Sequence, residues 1–309
     1  MRSFLAILTV LVTILGFWYV ACIPMNIHEA ANQAQRAGEQ VSPESTRERR
    51  GIGRLALTFK NPDLWHSVYA QDRPQLPAPH QVGVELWNTT VGMVQKGRAF
   101  SKRSLLLHGW ITLSATLLGF VLGTILGIVL AVSIVHSRAM DMSVMPWIIA
   151  SQTVPILAIA PMIVVVLAAM QVDDLFAKGV ISMYLSFFPV VVGMVKGLRS
   201  PGKMQLDQMK TWNASRSETF WKLRLPSSAP YLFASLKVGV AASLIGAVVA
   251  ELSLSQNGGL GARLLAGSYY GQTVQIWSAL LAAAALAALL VWAIDMAQKV
   301  TLKRMGFSQ

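Results

Sequence analysis

The chain has 309 residues, of which 54% are hydrophobic and only 13% are charged, and its mean hydropathy is +0.52. A soluble globular domain carries about 25% charged residues, so this composition indicates an integral membrane protein. The net charge of +12 does not indicate a nucleic-acid partner, because the basic residues lie between apolar segments and not on one soluble face. A single cysteine, Cys22, excludes an intramolecular disulfide framework and a cysteine-rich metal site.

The first apolar segment, "SFLAILTVLVTILGFWYVACI", follows directly after Met1 and Arg2. It is long enough for a full bilayer crossing at about 1.5 Å per residue and longer than the apolar core of a cleaved signal. We therefore expect residues 1–24 to form an uncleaved transmembrane anchor, with Trp18 and Tyr19 in an interfacial aromatic belt. A cleaved signal is the alternative, because "YVAC" partly resembles a lipoprotein cleavage box.

The composition changes sharply after Pro24. Residues 25–80 are polar and lack sustained apolar periodicity, so we expect them to be loose. From His80 onwards the apolar residues have the spacing of a short amphipathic helix that lies at a membrane interface. The whole of residues 25–103 is predicted to be a periplasmic segment.

Five further apolar segments follow the anchor, so the predicted fold is an all-α polytopic membrane protein with about six transmembrane helices. They cover about residues 104–135, 144–170, 175–195, 231–252 and 274–297, within a transmembrane domain of residues 104–300. Lysine and arginine concentrate between the fourth and fifth of the six helices and in the tail, residues 301–309. The positive-inside rule therefore predicts that this loop and both termini are cytoplasmic. The basic segment 25–103 conflicts with that rule, although it is longer than the loops for which the rule is reliable.

Several residues within the apolar segments have a predicted structural role. Gly119, Gly123 and Gly127 recur at every fourth position, which is typical of closely packed membrane helices. Pro155 and Pro161 are expected to break or kink the third helix, either to line a cavity or simply to bend it.

The charged and polar residues of these segments are the other candidates. Glu251, at the outer end of the fifth helix, could contact substrate, act as a gate or bond to neighbouring backbone. Lys237 is expected to extend to the cytoplasmic interface, and Asp295 and Lys299 to form a surface ion pair. His108 is interpreted as an interfacial residue, because no second ligand stands at metal-binding spacing from it.

A polar, basic stretch, "KTWNASRSETFWKLRLPSSAPY", lies between two of the apolar segments. A helix is predicted from Lys203 to Trp212, and Asn213 stands where a left-handed residue would end it. Ser215 and Glu218 have the spacing of a capping box for a second short helix, which Pro226 is expected to stop. Phe220 and Trp221 give that helix exposed aromatic side chains for a partner. The alternative is that this elbow packs only against the protein's own membrane helices.

The stretch "DQMKTWNASRSETFWKLRLPSSAPY" resembles the cytoplasmic signature loop of permease subunits of ATP-binding-cassette (ABC) importers. That signature is Glu-Ala-Ala, three residues, Gly, nine residues, and Ile-x-Leu-Pro. Asp207, Gln208 and Met209 stand at its first three positions and Asn213 at its glycine. Leu223, Leu225 and Pro226 close it at the matching spacing. The substitutions for Glu, Ala-Ala and Gly leave the details of the docking surface open, although aspartate keeps the charge and asparagine tolerates the left-handed conformation.

Other segments resemble the branch of this family that handles nitrate, sulfonates, taurine and pyrimidine vitamin precursors. These segments are "LPAPHQV", "SQTVPILAIAP", "FFPVVVGMVKGLRS" and "VVAELSLSQNGGLGARL". They make Gln152, Pro155 and Glu251 candidates for the translocation path or its gate. The resemblance covers about residues 76–300, and residues 25–75 are longer than the branch predicts.

The resemblance implies a type I importer fold and a place in the bacterial cytoplasmic membrane. It also implies a cytoplasmic ATPase that binds the coupling loop, residues 200–230, together with a periplasmic binding protein and a second copy of the chain. The docking residues would be Asp207, Asn213, Ser215, Glu218, Phe220, Trp221, Leu223, Leu225 and Pro226. No catalytic, cofactor or metal site is predicted. The stretch "GMVQKGRA" is not a nucleotide site, since it lacks the Lys-Ser/Thr of a phosphate-binding loop.

Two other classes of function fit the sequence less well. A membrane-embedded enzyme would need paired carboxylates, a nucleophile with its base, or metal ligands near the interface, and no such constellation is present in the sequence. A secondary transporter or channel that works without an ATPase is the main alternative. Such proteins usually show inverted repeats or several ionisable groups in their membrane helices, and neither is clear here.

Overall fold

The computed structural model describes residues 2–254 and 257–306. Fifteen α-helices, with one 3₁₀ turn at Pro62–Leu64 and one π turn at Phe220–Arg224, make up the regular structure of these residues. The helices are α1 Arg2–Arg36, α2 Thr46–Gly51, α3 Arg54–Lys60, α4 Trp65–Val68, α5 Pro79–Thr89, α6 Val91–Gln95, α7 Leu105–His136, α8 Arg138–Ser151, α9 Ile156–Ala169, α10 Asp174–Leu198, α11 Lys203–Thr211, α12 Arg216–Thr219, α13 Leu225–Ser253, α14 Leu260–Tyr269 and α15 Thr273–Arg304.

Five of the described helical segments are long and apolar enough to cross a membrane, and a sixth crossing results if α8 and α9 are counted together. The all-α polytopic fold predicted from the sequence is therefore confirmed. The described chain divides into two compact units, one within residues 1–106 and 263–281 and the other within residues 107–262 and 282–309.

The first unit is built around α1. Apolar side chains between Leu5 and Val20 are exposed, as expected of a helix surrounded by lipid. The helix does not end at Pro24 but continues to Arg36. Pro24 therefore does not terminate the anchor, although proline removes one backbone hydrogen bond.

The expectation that residues 25–80 are loose is wrong. Beyond Pro24, α1 buries one face, and α3, α4 and the 3₁₀ turn pack against it. The buried side chains of α1 are Ile27, Ala30, Ala31 and Ala34, which have the i, i+3, i+4, i+7 spacing of a helix face. Three of the four are alanines, so the periodicity was too weakly hydrophobic to stand out in the sequence.

Polar contacts complete the core of the first unit. The buried Asn26 side chain donates to the carbonyl of Leu76 at 2.7 Å and accepts from its N–H at 2.9 Å. Trp18 donates to the carbonyl of Pro77 at 3.0 Å, and its ring centroid lies 4.7 Å from that of Trp277. Tyr19 accepts through its carbonyl from the Tyr69 hydroxyl at 3.1 Å. Trp18 and Tyr19 therefore pack within this unit, and their place in an interfacial aromatic belt stays a prediction.

The helix predicted from His80 is present as α5. Gln81 caps it by accepting the backbone N–H of Ala78 at 3.0 Å, and Pro79 occupies the first turn, where its missing N–H has no partner to lose.

The second unit is held together by close contacts of α7 with α10 and of α10 with α13. A Cβ atom added to Gly119, Gly123 or Gly127 would lie 2.1, 2.0 or 2.8 Å from an atom of α10. The Ser186 hydroxyl donates to the carbonyl of Gly119 at 3.2 Å, and the Ser243 hydroxyl donates to the carbonyl of Thr116 at 2.8 Å. The glycine repeat therefore packs helices, as the sequence predicted.

The third predicted membrane helix is two helices, α8 and α9, whose axes differ by 100°. The break precedes α9, and Pro155 is the residue at its N-cap, so the predicted break at Pro155 is confirmed. Pro161 lies inside α9 and does not interrupt it. Pro161 lies in the second turn of α9 and has no backbone N–H to donate, but the helix continues beyond it.

Two other regions are more helical than the sequence predicted. The glycine-rich segment after α13 contains the helix α14, Leu260–Tyr269. The last helix, α15, continues to Arg304, so the predicted tail, residues 301–309, begins as helix.

Candidate functional site

The elbow of residues 200–230 has the turn that its sequence predicted. α11 ends at Thr211, and Asn213 has φ of +54°, the left-handed conformation that asparagine adopts more readily than most residues. The backbone N–H of Glu218 donates to the Ser215 hydroxyl at 3.2 Å, and the N–H of Ser215 donates to the Glu218 carboxylate at 3.0 Å. This reciprocal pair is the predicted capping box, and it fixes the start of α12.

Pro226 does not stop the second helix of the elbow, as the sequence analysis expected. α12, the π turn and α13 form one helical segment, Arg216–Ser253. The wide π turn lies immediately before Pro226, and its last bond runs from the N–H of Leu225 to the carbonyl of Phe220. In a regular α-helix the proline ring would clash with the carbonyl of the residue four positions earlier, which here is Lys222. Lys222 lies within the π turn, whose wider geometry accommodates the ring. The elbow is therefore joined to a membrane helix without a flexible link.

Phe220 and Trp221 have different environments. Phe220 is half-buried in a core that includes Met194 and Leu198, and its ring centroid lies 5.1 Å from that of His136. Trp221 is 63% exposed. The expectation that both rings are available to a partner is therefore wrong for Phe220, which anchors the elbow on the second unit, while Trp221 is free to bind.

Two further apolar side chains of the elbow are exposed. Met204 is 86% exposed and Trp212 is 68% exposed. A groove of about 370 Å³ runs between α11 and α12, and its lining includes Met209, Trp212 and Leu223. Exposed tryptophans are frequent energetic centres of protein interfaces. The sequence predicted Trp212 only as a helix end, although its position directly before the turn marks it as part of the elbow surface.

The remaining elbow residues fix its shape. Asp207 pairs with Lys210 at 2.9 Å, and Glu218 pairs with Lys222 at 2.9 Å. Leu225 packs into the same core as Phe220. Arg224 donates to the carbonyl of Leu198 at the end of α10, at 3.2 Å. The contacts of Leu225 and Arg224 hold the elbow to the core and to α10, and Met204, Trp212 and Trp221 remain exposed on it.

Glu251 is fully buried in a separate cluster of the second unit. Its carboxylate accepts from the Thr112 hydroxyl at 2.8 Å and from the backbone N–H of Gly261 at 2.8 Å. A Cβ atom at Gly259 would lie 2.1 Å from the carboxyl carbon, and Gly259 has φ of +116°. Only glycine fits there, because it both lacks a side chain and adopts positive φ freely. Of the three roles open to Glu251, this geometry supports bonding to neighbouring backbone.

Two neighbours complete the Glu251 cluster. His108 is buried, and its Nδ1 accepts from the N–H of Gly259 at 3.0 Å, so its interpretation as an interfacial residue is wrong. Lys178 is 3% exposed and its Nζ lies 3.5 Å from the carbonyl of Gly258. The cluster thus connects α7, α10 and α13 to residues 258–261. We refer to Thr112, Glu251 and residues 258–261 as the Glu251 clasp.

The structure does not place the other two candidates of the translocation path in that cluster. Gln152 and Pro155 are exposed at the break between α8 and α9, and the Gln152 side chain donates to Ser151 at 3.4 Å. Their role in a path stays a prediction.

Lys237 and Asp295 form an ion pair that the sequence analysis did not predict. Lys237, on α13, contacts Asp295 on α15, and Asp295 also pairs with Lys299 at 2.8 Å. The predicted Asp295–Lys299 pair is therefore confirmed. Lys237 does not simply extend to the interface but joins two helices through Asp295. Because Lys237 and Asp295 are 58 positions apart, no local sequence pattern predicts that they pair.

Comparison with known proteins decides what kind of protein has this elbow. A family profile described as "Binding-protein-dependent transport system inner membrane component" matches residues 123–307, which include the elbow and all of the Glu251 clasp except Thr112. That is more than half of the chain. The chain belongs to this family. It is a multi-pass membrane protein and the permease subunit of an ABC importer, not an enzyme.

Individual relatives agree with the family. A probable ABC transporter permease protein of Haemophilus influenzae is 31% identical over 188 residues, 61% of this chain and 75% of that protein. The formylaminopyrimidine transport permease protein of Halalkalibacterium halodurans is 29% identical over 186 residues, 60% of this chain and 68% of that protein. The riboflavin transport system permease protein of Chloroflexus aurantiacus is 33% identical over 187 residues, 60% of this chain and 64% of that protein.

Membership of the family implies an ABC system with an ATPase and a binding protein. Residues 1–122, which include most of the first unit, lie outside the family match.

Proposed function

We propose that this permease forms the membrane path for a small solute delivered by a periplasmic binding protein, and that its elbow is the docking element for the cytoplasmic ATPase. The observation that carries the proposal is the construction of the elbow. Phe220 and Leu225 hold it in the core, while Trp212, which lines the groove, and Trp221 remain exposed. An apolar surface on an otherwise polar loop fits a protein partner.

Force would pass from the elbow to the membrane through one helix. The segment Arg216–Ser253 has 38 residues, about 57 Å at 1.5 Å per residue. It begins in the elbow, and Glu251 lies near its other end. A rigid-body displacement of the elbow when the ATPase binds ATP would therefore move α13 directly. The complex of permease and ATPase would alternate between two conformations. ATP can shift their populations only by binding more tightly to the ATPase in one conformation than in the other.

The topology and assembly of the permease are part of the same proposal. Both termini and residues 200–230 would be cytoplasmic, residues 25–103 periplasmic, and a second copy would complete the path. Lysine and arginine in the elbow and near the end of α15 support this orientation.

The solute would be a small planar compound with several hydrogen-bonding groups. Two relatives, at 29% and 33% identity, are named for formylaminopyrimidine and riboflavin, and both compounds contain a nitrogen heterocycle. A pyrimidine-like heteroaromatic nutrient is thus better supported than the nitrate, sulfonate or taurine type, which the sequence resemblance also allows.

Co-purification with the ATPase tests the docking role. Trp221→Asp is expected to reduce the co-purified ATPase at least ten-fold, because losing a buried interface tryptophan costs about 2 kcal/mol or more. The yield of the permease should not change, since Trp221 is exposed. Tyr269→Asp is the matched control, because Tyr269 is 79% exposed on α14, outside the elbow, and it should retain the ATPase.

Phe220→Asp serves as a second comparison. It should lower the yield of folded permease itself, because it places a carboxylate in the core. If Trp221→Asp and Trp212→Asp both retain the ATPase at the level of the unchanged chain, the docking role is wrong.

A further inference from the structure

The first unit contains a cavity of about 440 Å³, lined by residues between His28 and Gln75. The cavity is formed by α1 beyond Pro24, by α2 and α3, and by the segment before α5. Its charged lining residues are His28, Glu29, Arg49, Arg50 and Arg54. The three arginines outnumber the single carboxylate, which gives the cavity a cationic character.

Arg49 is the centre of this arrangement. It is fully buried, and its terminal nitrogens donate to the carbonyls of Pro43 and Glu44 and to the hydroxyl of Thr46. Within the described part of the chain no carboxylate pairs with it, and its buried Nε has no hydrogen-bond partner. A buried cation is usually compensated by an anion. Here only neutral oxygens contact it.

Arg50 and Arg54 are available at the same cavity. Both side chains are exposed, and neither takes part in an ion pair among the residues that the structure describes. Guanidinium groups match the geometry of phosphate and carboxylate through paired N–H donors. Two such groups beside the uncompensated Arg49 favour a ligand with several negatively charged oxygens.

We propose that this cavity binds an oxyanion of the phosphate type. Arg50 and Arg54 would contact the ligand, His28 would add a donor, and Arg49 would supply the buried positive charge. Glu29 would weaken binding by repulsion. The site lies outside the family match at residues 123–307, and it does not depend on the proposed transport function.

The phosphate could come from solution or from a lipid headgroup. His28 is six residues beyond Cys22, where α1 becomes buried, so it lies about 9 Å further along the helix. The headgroup layer on each side of a bilayer is about 5–8 Å thick, which places the cavity close to lipid phosphates. Both sources present the same chemistry, and the experiment separates them.

The test uses the full chain in two arms. In detergent at low ionic strength, sodium phosphate is titrated calorimetrically against sodium chloride as reference. In the second arm, retention of phosphatidylglycerol is compared with that of phosphatidylcholine by native mass spectrometry. Binding in the first arm alone identifies a soluble oxyanion, binding in the second alone identifies a lipid, and binding in both supports the shared chemistry.

Variants connect the binding to the cavity. Arg50→Gln with Arg54→Gln should weaken binding at least ten-fold, and Glu29→Gln should strengthen it about two- to five-fold. Arg47→Gln is the matched control, because Arg47 is an exposed arginine of α2 that does not line the cavity, and it should change affinity less than two-fold. The absence of binding in both arms, or an equal loss in Arg47→Gln and the double variant, would overturn the proposal.

Discussion

Gly119→Leu is expected to destabilise the permease strongly and to lower its folded yield. Gly119 faces α10 so closely that a Cβ atom would lie 2.1 Å from the Cβ of Ser182 and 2.7 Å from the carbonyl oxygen of Gly179. Neither atom can move by rotating a side chain, so α7 and α10 would have to separate. Overpacking of this kind costs about 3 kcal/mol or more, out of a total stability of about 5–15 kcal/mol.

Fluorescence-detected size-exclusion chromatography and thermal unfolding measure this effect. The monodisperse peak should fall several-fold for Gly119→Leu, and its midpoint of unfolding should drop. Gly109→Leu is the control on the same helix, because a Cβ there has no atom within 4 Å, and it should behave like the unchanged chain. If both variants yield equally stable protein, the close contact between α7 and α10 is wrong.

Glu251→Ala is the second substitution with a large expected effect. It removes the acceptor of the buried Gly261 N–H and of the Thr112 hydroxyl. Thr112 can still donate to the carbonyl of His108, which lies 3.1 Å away, but the Gly261 N–H is left without its partner. An unsatisfied buried donor together with the loss of a charged hydrogen bond costs about 3 kcal/mol.

Glu251→Gln separates a structural role from contact with substrate. Glutamine keeps one side-chain oxygen for the Gly261 N–H, so its loss of stability should be less than half that of the alanine variant. If the clasp is structural, solute uptake per folded permease should remain near normal in Glu251→Gln. Ser253→Ala, an exposed change on the same helix, is the control. A stable Glu251→Gln protein without uptake would show that the carboxylate acts in the path itself.

Much of the architecture follows from local sequence patterns. Long apolar segments predicted the membrane helices because lipid requires such length and composition. Asn213 and the Ser215–Glu218 pair predicted the elbow because positive φ and capping depend on neighbours within a few positions. The glycines at 119, 123 and 127 predicted helix contact, though not with which helix.

The features that could not be predicted depend on distant residues or weak signals. Glu251 and Thr112 are 139 positions apart, so the carboxylate alone could not show whether it faced substrate or backbone. The alanine face of α1 was too weakly apolar to reveal the fold of residues 25–80. Pro226 predicts a helix end, because the π turn before it leaves no mark in the sequence.

The position of the elbow relative to the membrane is the central point of this account. Arg216 is exposed at the start of α12, and Arg216→Cys in a Cys22→Ser background gives a single site for a membrane-impermeant maleimide. We expect labelling only from the cytoplasmic side, in inside-out vesicles, and protection of that cysteine when the ATPase is bound. Labelling from the outside of intact cells would contradict the account, because an elbow on that side could never contact a cytoplasmic motor.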